Sequence, residues 1–399
     1  MSVWSRVAGQ PKVVAELDAA ARAAGSSKPA DGAMTHAWLI TGPPGSGRSI
    51  AAESFAAALV CEQAGCGICK ECREALAGTH PDVDLERSTT FSYSKQSATE
   101  LVVKAAGAPT RARYRILVVE DADRMTESAA NALLKAIEEP TAGTVWILCA
   151  PSGEDLLPTI RSRTRHVALR IPDPSDVAAA LMMEGVDAGM AGFAAAASQG
   201  HIGRARGLAN SAEVRSRRTN VLKVPSRLNS LEAAYAIAHE LKQAADADAK
   251  QRSKDLDDAE TEELLDAYGQ GATGVSAAKV RNHARGALSQ LAKNQQQRAA
   301  RSTRDALDRY FVDLMGWYRD VFVLQVGAGG ALINPDLAAE LEQVAGRQDA
   351  AGTVARIDAL SAARAQLSGN VPPLVVCEAL MVQLLHPVPP QDTLVGLAE

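Results

Sequence analysis

Aromatic residues are scarce in this chain, with phenylalanine, tryptophan and tyrosine together making 4% of 399 residues. A core short of rings is filled by aliphatic and alanine side chains, and the apolar content of 47% is alanine-heavy, which favours helices. Also missing is any uncharged apolar run near the ~20 residues that span a bilayer. Met1-Ser2-Val3-Trp4-Ser5-Arg6 lacks the apolar core of a signal peptide, so a cytoplasmic location and no membrane partner are expected. Positive charge is not in surplus. A formal net charge of −5 argues against a chain-wide nucleic-acid coat, although local basic patches remain open. Cysteines number only six, and the four at Cys61, Cys66, Cys69 and Cys72 fall within twelve residues. In a reducing compartment such a cluster points to a metal ahead of a disulfide framework. Cys149 and Cys377 sit in apolar runs and read as small core residues. The length suits two to three domains, each with its own core.

What is present is organised around Gly42-Pro43-Pro44-Gly45-Ser46-Gly47-Arg48-Ser49. An apolar run, Ala37 to Thr41, precedes it, and a helix-forming run, Ile50 to Leu59, follows with Ala51, Phe55, Ala58 and Leu59 on one face. Strand, glycine loop and helix in that order make a phosphate loop credible. Gly42, Gly45 and Gly47 let backbone N–H groups turn around an anion, and the helix N-terminus adds partial positive charge. The pattern asks for Lys where Arg48 stands. Lys is a compact charge reaching between terminal phosphates, whereas Arg carries a planar fork that needs more room. Backbone binding of a nucleotide with Ser49 on Mg²⁺ stays open, and so does a glycine turn that binds nothing. Competent hydrolysis is not expected.

Cys61-x4-Cys66-x2-Cys69-x2-Cys72 can place four thiolates tetrahedrally around Zn²⁺, a structural role because no coordination position is left open. Free or redox thiols are the alternative. A polar stretch from Ser88 to Thr99 and a basic segment, Arg111 to Arg115, lead to a buried strand, Ile116 to Val119. It ends in Glu120-Asp121-Ala122-Asp123, where a phosphate-bound Mg²⁺ and its water would lie. Thr126 caps a helix from Ser128 to Glu139, stopped by Pro140, and a further strand runs from Val145 to Cys149. This alternation predicts a parallel sheet covered on both faces. Pro172 and Pro174 mark a boundary, and the pattern beyond is helical. Asp255 to Asp266 holds seven acids and no base, while Lys279 to Arg309 holds eight bases against two acids. A solvated helix face or a loop accounts for both. From Ser302, Leu307, Tyr310, Leu314, Trp317, Val321 and Leu324 repeat as the seam of a packed helix, and Asn370-Val371-Pro372-Pro373 opens a last apolar helix through Leu385.

Together these pieces resemble the bacterial clamp-loader subunits of the AAA+ class, nearest the δ′ type of the DNA polymerase III holoenzyme. The likeness is carried by the phosphate loop, the cysteines behind its helix, His80-Pro81-Asp82, Glu120-Asp121-Ala122-Asp123-Arg124-Met125 and, most specifically, Ala130-Asn131-Ala132-Leu133-Leu134-Lys135-Ala136-Ile137-Glu138-Glu139-Pro140. It covers residues 5–210 well and 211–350 thinly. It implies an α/β AAA+ module at 1–170 (a parallel sheet with helices on both faces), a small helical lid at 171–210 and an all-α collar at 211–399 that joins five subunits into an open ring. The partners it implies are the other ring subunits, the sliding clamp and, through the assembled ring, primer–template DNA.

Departures from the family's motors point one way. Arg48 replaces Lys, Glu120-Asp121 reverses the motors' acidic order, and the polar sensor after the strand is replaced by Ala150 and Pro151. The resemblance then implies a weak or silent ATP/Mg²⁺ site. Ser162-Arg163-Thr164 keeps the family's finger arginine without its cysteine, so Arg163 would act in a neighbour's site, as against a surface arginine among Arg161, Arg165 and Arg170. Arg204 resembles the lid arginine that senses nucleotide. Two competing readings are an active ATPase motor of the same ring and a phosphate-loop kinase acting on a small substrate. The helical tail, the cysteines and the missing Lys count against the kinase.

Overall fold

Short runs of branched aliphatic residues, bounded by glycine, proline and polar turns, build the sheet. The computed structural model describes residues 2–25, 33–87, 93–267, 276–369 and 371–387. The chain divides into two compact units, Met1–Ser211 and Ala212–Glu399.

In the first unit the elements run α1 (Pro11–Gly25), β1 (Ala37–Thr41), α2 (Arg48–Val60), α3 (Lys70–Ala77), β2 (Val83–Glu86), α4 (Lys95–Ala105), β3 (Arg115–Val119), α5 (Glu127–Glu138), β4 (Thr144–Ala150), α6 (Pro158–Arg161), β5 (Arg165–Ala168), α7 (Pro174–Met183), α8 (Ala188–Ser198) and α9 (Ile202–Asn210). The sheet order is β2-β3-β4-β1-β5, all parallel. Alternation along each strand assigns the two faces. Trp38, Ile40, Ile116, Val118, Ile147 and Cys149 pack with α1 and α2, whereas Leu39, Leu117, Val119, Trp146 and Leu148 pack with α4 and α5. The expected parallel sheet with helices on both faces is what forms.

Two details differ from the sequence reading. Helix α2 has no single apolar face: every residue from Ala51 to Val60 is buried, because the sheet, α1, α3 and the 3-10 turn Val3–Arg6 surround it. Five alanines in that run (51, 52, 56, 57 and 58) allow these close approaches. The stretch read as polar, Ser88 to Thr99, contains the start of α4, capped by Ser94, whose side chain accepts from the Ser97 amide. Residues 88–92 of that stretch lie outside the described residues, as do residues 26–32 of the loop after α1.

The second unit is helical: α10 (Ala212–Leu222), α11 (Val224–Arg227), α12 (Leu231–Ala267), α13 (Ser276–Gln325), α14 (Ala338–Ala345), α15 (Ala350–Leu367) and α16 (Pro373–Leu385). The seam Leu307, Tyr310, Leu314, Trp317 and Val321 is buried against Ala234, Ile237 and Leu241 of α12 and Val376, Leu380 and Leu384 of α16. The acidic and basic runs both lie on helices, α12 and α13, and they partly neutralise one another. Arg298 pairs with Asp257 and with Glu260, the latter at 2.6 Å. The side chains of Asp255, Glu263, Asp266, Lys279 and Arg281, and all of Asn370, lie outside the described residues.

Candidate functional site

The phosphate loop joins the carboxyl end of β1 to α2, so Arg48 is the first residue of that helix and Ser49 the second. Gly45 has φ +90°, and a Cβ there would stand 2.7 Å from the Cβ of His201, the residue capping α9. The segment His201-Ile202 therefore lies directly against the loop. Gly47, at φ +91°, caps α2. The Gly42 amide donates to the Pro151 carbonyl at 3.2 Å, so the position that lacks a side-chain donor is used through its backbone. Gln10 ties the region together, its Nε2 donating to Arg170 O at 2.6 Å and Ser46 O at 3.5 Å.

Arg48, Arg87, Glu53 and Glu120 beside this loop are paired within the chain. Arg48 Nη1 donates to the loop's own Gly42 carbonyl at 2.7 Å. Glu120 follows β3 beside the end of β2, and Arg87, the residue after β2, donates its Nε to Glu120 Oε1 at 2.9 Å. The same guanidinium donates to Glu53 Oε1 of α2 at 2.6 Å, and Arg6 lies 3.5 Å from the other oxygen of Glu53. Burial raises the Glu53 pKa, Arg6 and Arg87 pull it down, and the Glu120 charge pushes it up again. Asp121 adopts a left-handed backbone, φ +50°, and lies 3.7 Å from Arg124. Asp123 is raised by burial and by the Asp121 charge, and its Oδ1 is buried without a hydrogen-bond partner. Ser46 Oγ is also buried and unpartnered. Arg204 contributes its backbone amide to His201 Nδ1 at 3.2 Å in the cap of α9.

The sequence reading missed Arg87 and Glu53. Glu53 lies one helical turn after Ser49, a usable signal. Arg87 could be placed only by recognising β2 and pairing its end with that of β3.

The four cysteines do converge. Cys61 caps the C-terminus of α2 and Cys69 the N-terminus of α3. Their sulfurs all lie within 4.8 Å of one another, with Cys61 Sγ 3.7 Å from Cys66 Sγ and 3.8 Å from Cys69 Sγ. Four ligands at ~2.3 Å in a tetrahedron stand about 3.8 Å apart, so the set fits Zn²⁺. Backbone amides of Cys66, Gly67, Cys69 and Cys72 point at the sulfurs over 3.3–3.5 Å, which favours thiolates.

His80-Pro81-Asp82 anchors this module to the sheet. His80 is buried, and its Nδ1 accepts from the Asp82 amide at 3.0 Å. Nε2 therefore carries the proton and donates it to Glu71 of α3 at 2.6 Å. Asp82 accepts from the amides of Thr110, Arg111 and Ala112 and from the Thr110 hydroxyl at 2.6–2.9 Å. Burial would raise its pKa, but these donors overcome it and hold the carboxyl down to about 2. The basic segment is spent at home as well: Arg111 pairs with Glu71 and Glu74, and Arg115 with Asp84.

Arg163 follows α6 on the rim of the same unit, its side chain 40% exposed. Nε faces Glu138 Oε1 at 2.6 Å, and Nη1 donates to Thr159 O at 2.9 Å and Ser162 Oγ at 3.2 Å. Glu138 is the last residue of α5, and sequence reasoning had assigned it no partner.

Residues 21–173 match the family model described as "DNA polymerase III, delta subunit". The chain is 34% identical over 183 residues to the DNA polymerase III subunit gamma/tau of Mycobacterium tuberculosis, covering 45% of this chain and 30% of that one. It is 37% identical over 147 residues to a subunit delta' of Pseudomonas aeruginosa, covering 34% and 44% of the two chains. With the subunit delta' of Bacillus subtilis it shares 28% identity over 194 residues, 48% of this chain and 59% of the relative. In each case it spans less than two thirds of the relative's length. No helix among the described residues is long and apolar enough to cross a membrane. Within its sheet-bearing unit the chain is thus similar to subunits of DNA polymerase III of the delta, delta' and gamma/tau types.

Proposed function

We propose that this chain is a δ′-like clamp-loader subunit, a member of a hetero-pentameric ring that consumes little or no ATP itself. Arg163 would act in the site of an adjacent ATPase subunit while the ring loads the sliding clamp on primer–template DNA. The observation that carries the reading is where the cations are turned. Arg48 and Arg87 are turned onto the Gly42 carbonyl and the Glu53 and Glu120 carboxylates around the loop itself, whereas Arg163 is held at the surface of the unit by Glu138, Thr159 and Ser162. An arginine there neutralises charge developing on a transferred phosphoryl group. A structural Zn²⁺ on Cys61, Cys66, Cys69 and Cys72 completes the module. In this reading the division into a nucleotide-binding-like domain (1–170), a lid (171–210) and a collar (211–399) assigns assembly to the last, and DNA is met through the ring by salt-dependent phosphate contacts.

The test is reconstitution with the other ring subunits. Arg163→Ala should assemble normally and slow hydrolysis at the one site it serves by about 10³-fold, read as a lost phase in single-turnover ATP hydrolysis. Unchanged hydrolysis would remove the assignment. The motor reading is favoured by the gamma/tau relatives. It requires turnover by the isolated chain that Asp121→Ala abolishes.

A further inference from the structure

We infer that Glu138 is the positioning residue of Arg163, holding the guanidinium at the subunit rim in the orientation a neighbour's phosphate will meet. The inference rests on the finger reading of Arg163 and extends it to a residue that reading did not include.

Three observations lead there. First, Glu138 occupies the last position of α5, followed by Glu139 and Pro140. A helix C-terminus carries partial negative charge, so a carboxylate at that end is disfavoured unless a cation compensates it. Arg163 Nε, 2.6 Å from Glu138 Oε1, is that cation. Second, the pair is poor as a stabilising device. The two side chains are 40% and 42% exposed, and ion pairs so open to water add little to folding. What the pair does supply is order, because an arginine otherwise loses considerable rotamer freedom when it engages a ligand.

Third, the contacts take up two of the three guanidinium nitrogens. Nε faces Glu138, and Nη1 caps the end of α6 through Thr159 O and reaches Ser162 Oγ. Nη2 makes no hydrogen bond to the described residues and is left for a phosphate oxygen. The charge balance is consistent with this task. In the free chain Glu138 neutralises the finger, and in the ring a phosphate of higher charge takes the open nitrogen without the side chain having to be found and fixed first. Such preorganisation lowers the barrier more than it changes substrate affinity.

The experiment uses the reconstituted ring with four versions of this chain: Arg163→Ala, Glu138→Ala, Glu138→Gln and the double variant Glu138→Ala/Arg163→Ala. Each is followed by single-turnover hydrolysis and by ATP affinity. Glu138→Ala should slow the served site about tenfold with ATP affinity unchanged, as expected for a misoriented group. Glu138→Gln, which keeps an acceptor oxygen, should stay within about threefold of wild type. The double variant should be no slower than Arg163→Ala alone.

Slow hydrolysis in Arg163→Ala with wild-type or faster rates in Glu138→Ala would overturn the inference and leave the finger reading standing. Additive losses in the double variant, or equal losses in the Ala and Gln variants, would overturn it as well. No effect of Arg163→Ala would instead sink the finger reading itself.

Discussion

The cysteine module and the phosphate loop are finished differently. Around Cys61, Cys66, Cys69 and Cys72 four sulfurs converge, and the groups turned toward them are backbone amides. Around the loop, Glu53 and Glu120 share the guanidinium of Arg87, and Arg48 is bound to a carbonyl of its own turn. One cluster calls for a cation from outside, whereas the other already contains one. Charge balance therefore separates a cluster suited to a cation from one that pairs its carboxylates with an arginine, a distinction that motif spacing alone does not make.

Three measurements press on that contrast. The largest effect belongs to the metal. Purified protein should carry about one Zn per chain, and Cys72→Ala should lose it and lower the Tm of the sheet-bearing unit by on the order of 10 °C. A metal-free protein that melts like the wild type would erase the difference between the two regions. Next comes Asp82, which holds the 110–112 turn beside β2. Its folded pKa of about 2 lies below the ordinary 3.8, so its contribution is present above about pH 4 and disappears as the pH falls toward 2. That contribution is about 2 kcal/mol at neutral pH, and Asp82→Asn should remove it and flatten the acid limb of the stability curve in urea titrations.

The smallest effect is the most diagnostic. Arg87 is well exposed, so Arg87→Ala should cost only about 1 kcal/mol. The variant's Tm should then rise with millimolar Mg²⁺, a hard cation that carboxylates accept, while the wild type stays indifferent. A wild type that responds equally would mean that Arg87 does not stand in for an ion.

Much of the fold could be read from the chain because its signals are local. The phosphate loop lies between an apolar run and a helix former, Thr126 caps α5 as expected with its side chain accepting from Ala129 N at 3.2 Å, and the long seam of α13 repeats at helical spacing. Strand β2 escaped because it is four residues long and half exposed at the sheet edge. With β2 went Arg87, whose importance depends on β2 and β3 ending side by side. Glu138 and Arg163 are 25 residues apart and meet only because α5 packs on α6. The charge runs of α12 and α13 were visible, but the partners of Arg298 stand 41 and 38 residues away. Patterns reveal which residues a helix or strand presents, and packing decides which of them become neighbours.

Helix α2 begins at Arg48, in the phosphate loop, and is capped by the first cysteine, Cys61. About 20 Å long by its residue count and enclosed on every side, it behaves as a rod with no slack. A disturbance at the metal end has nowhere to dissipate. A metal held by the four cysteines would thus be tied through this rod to the glycine turn at its far end, and its removal should shift that turn as well.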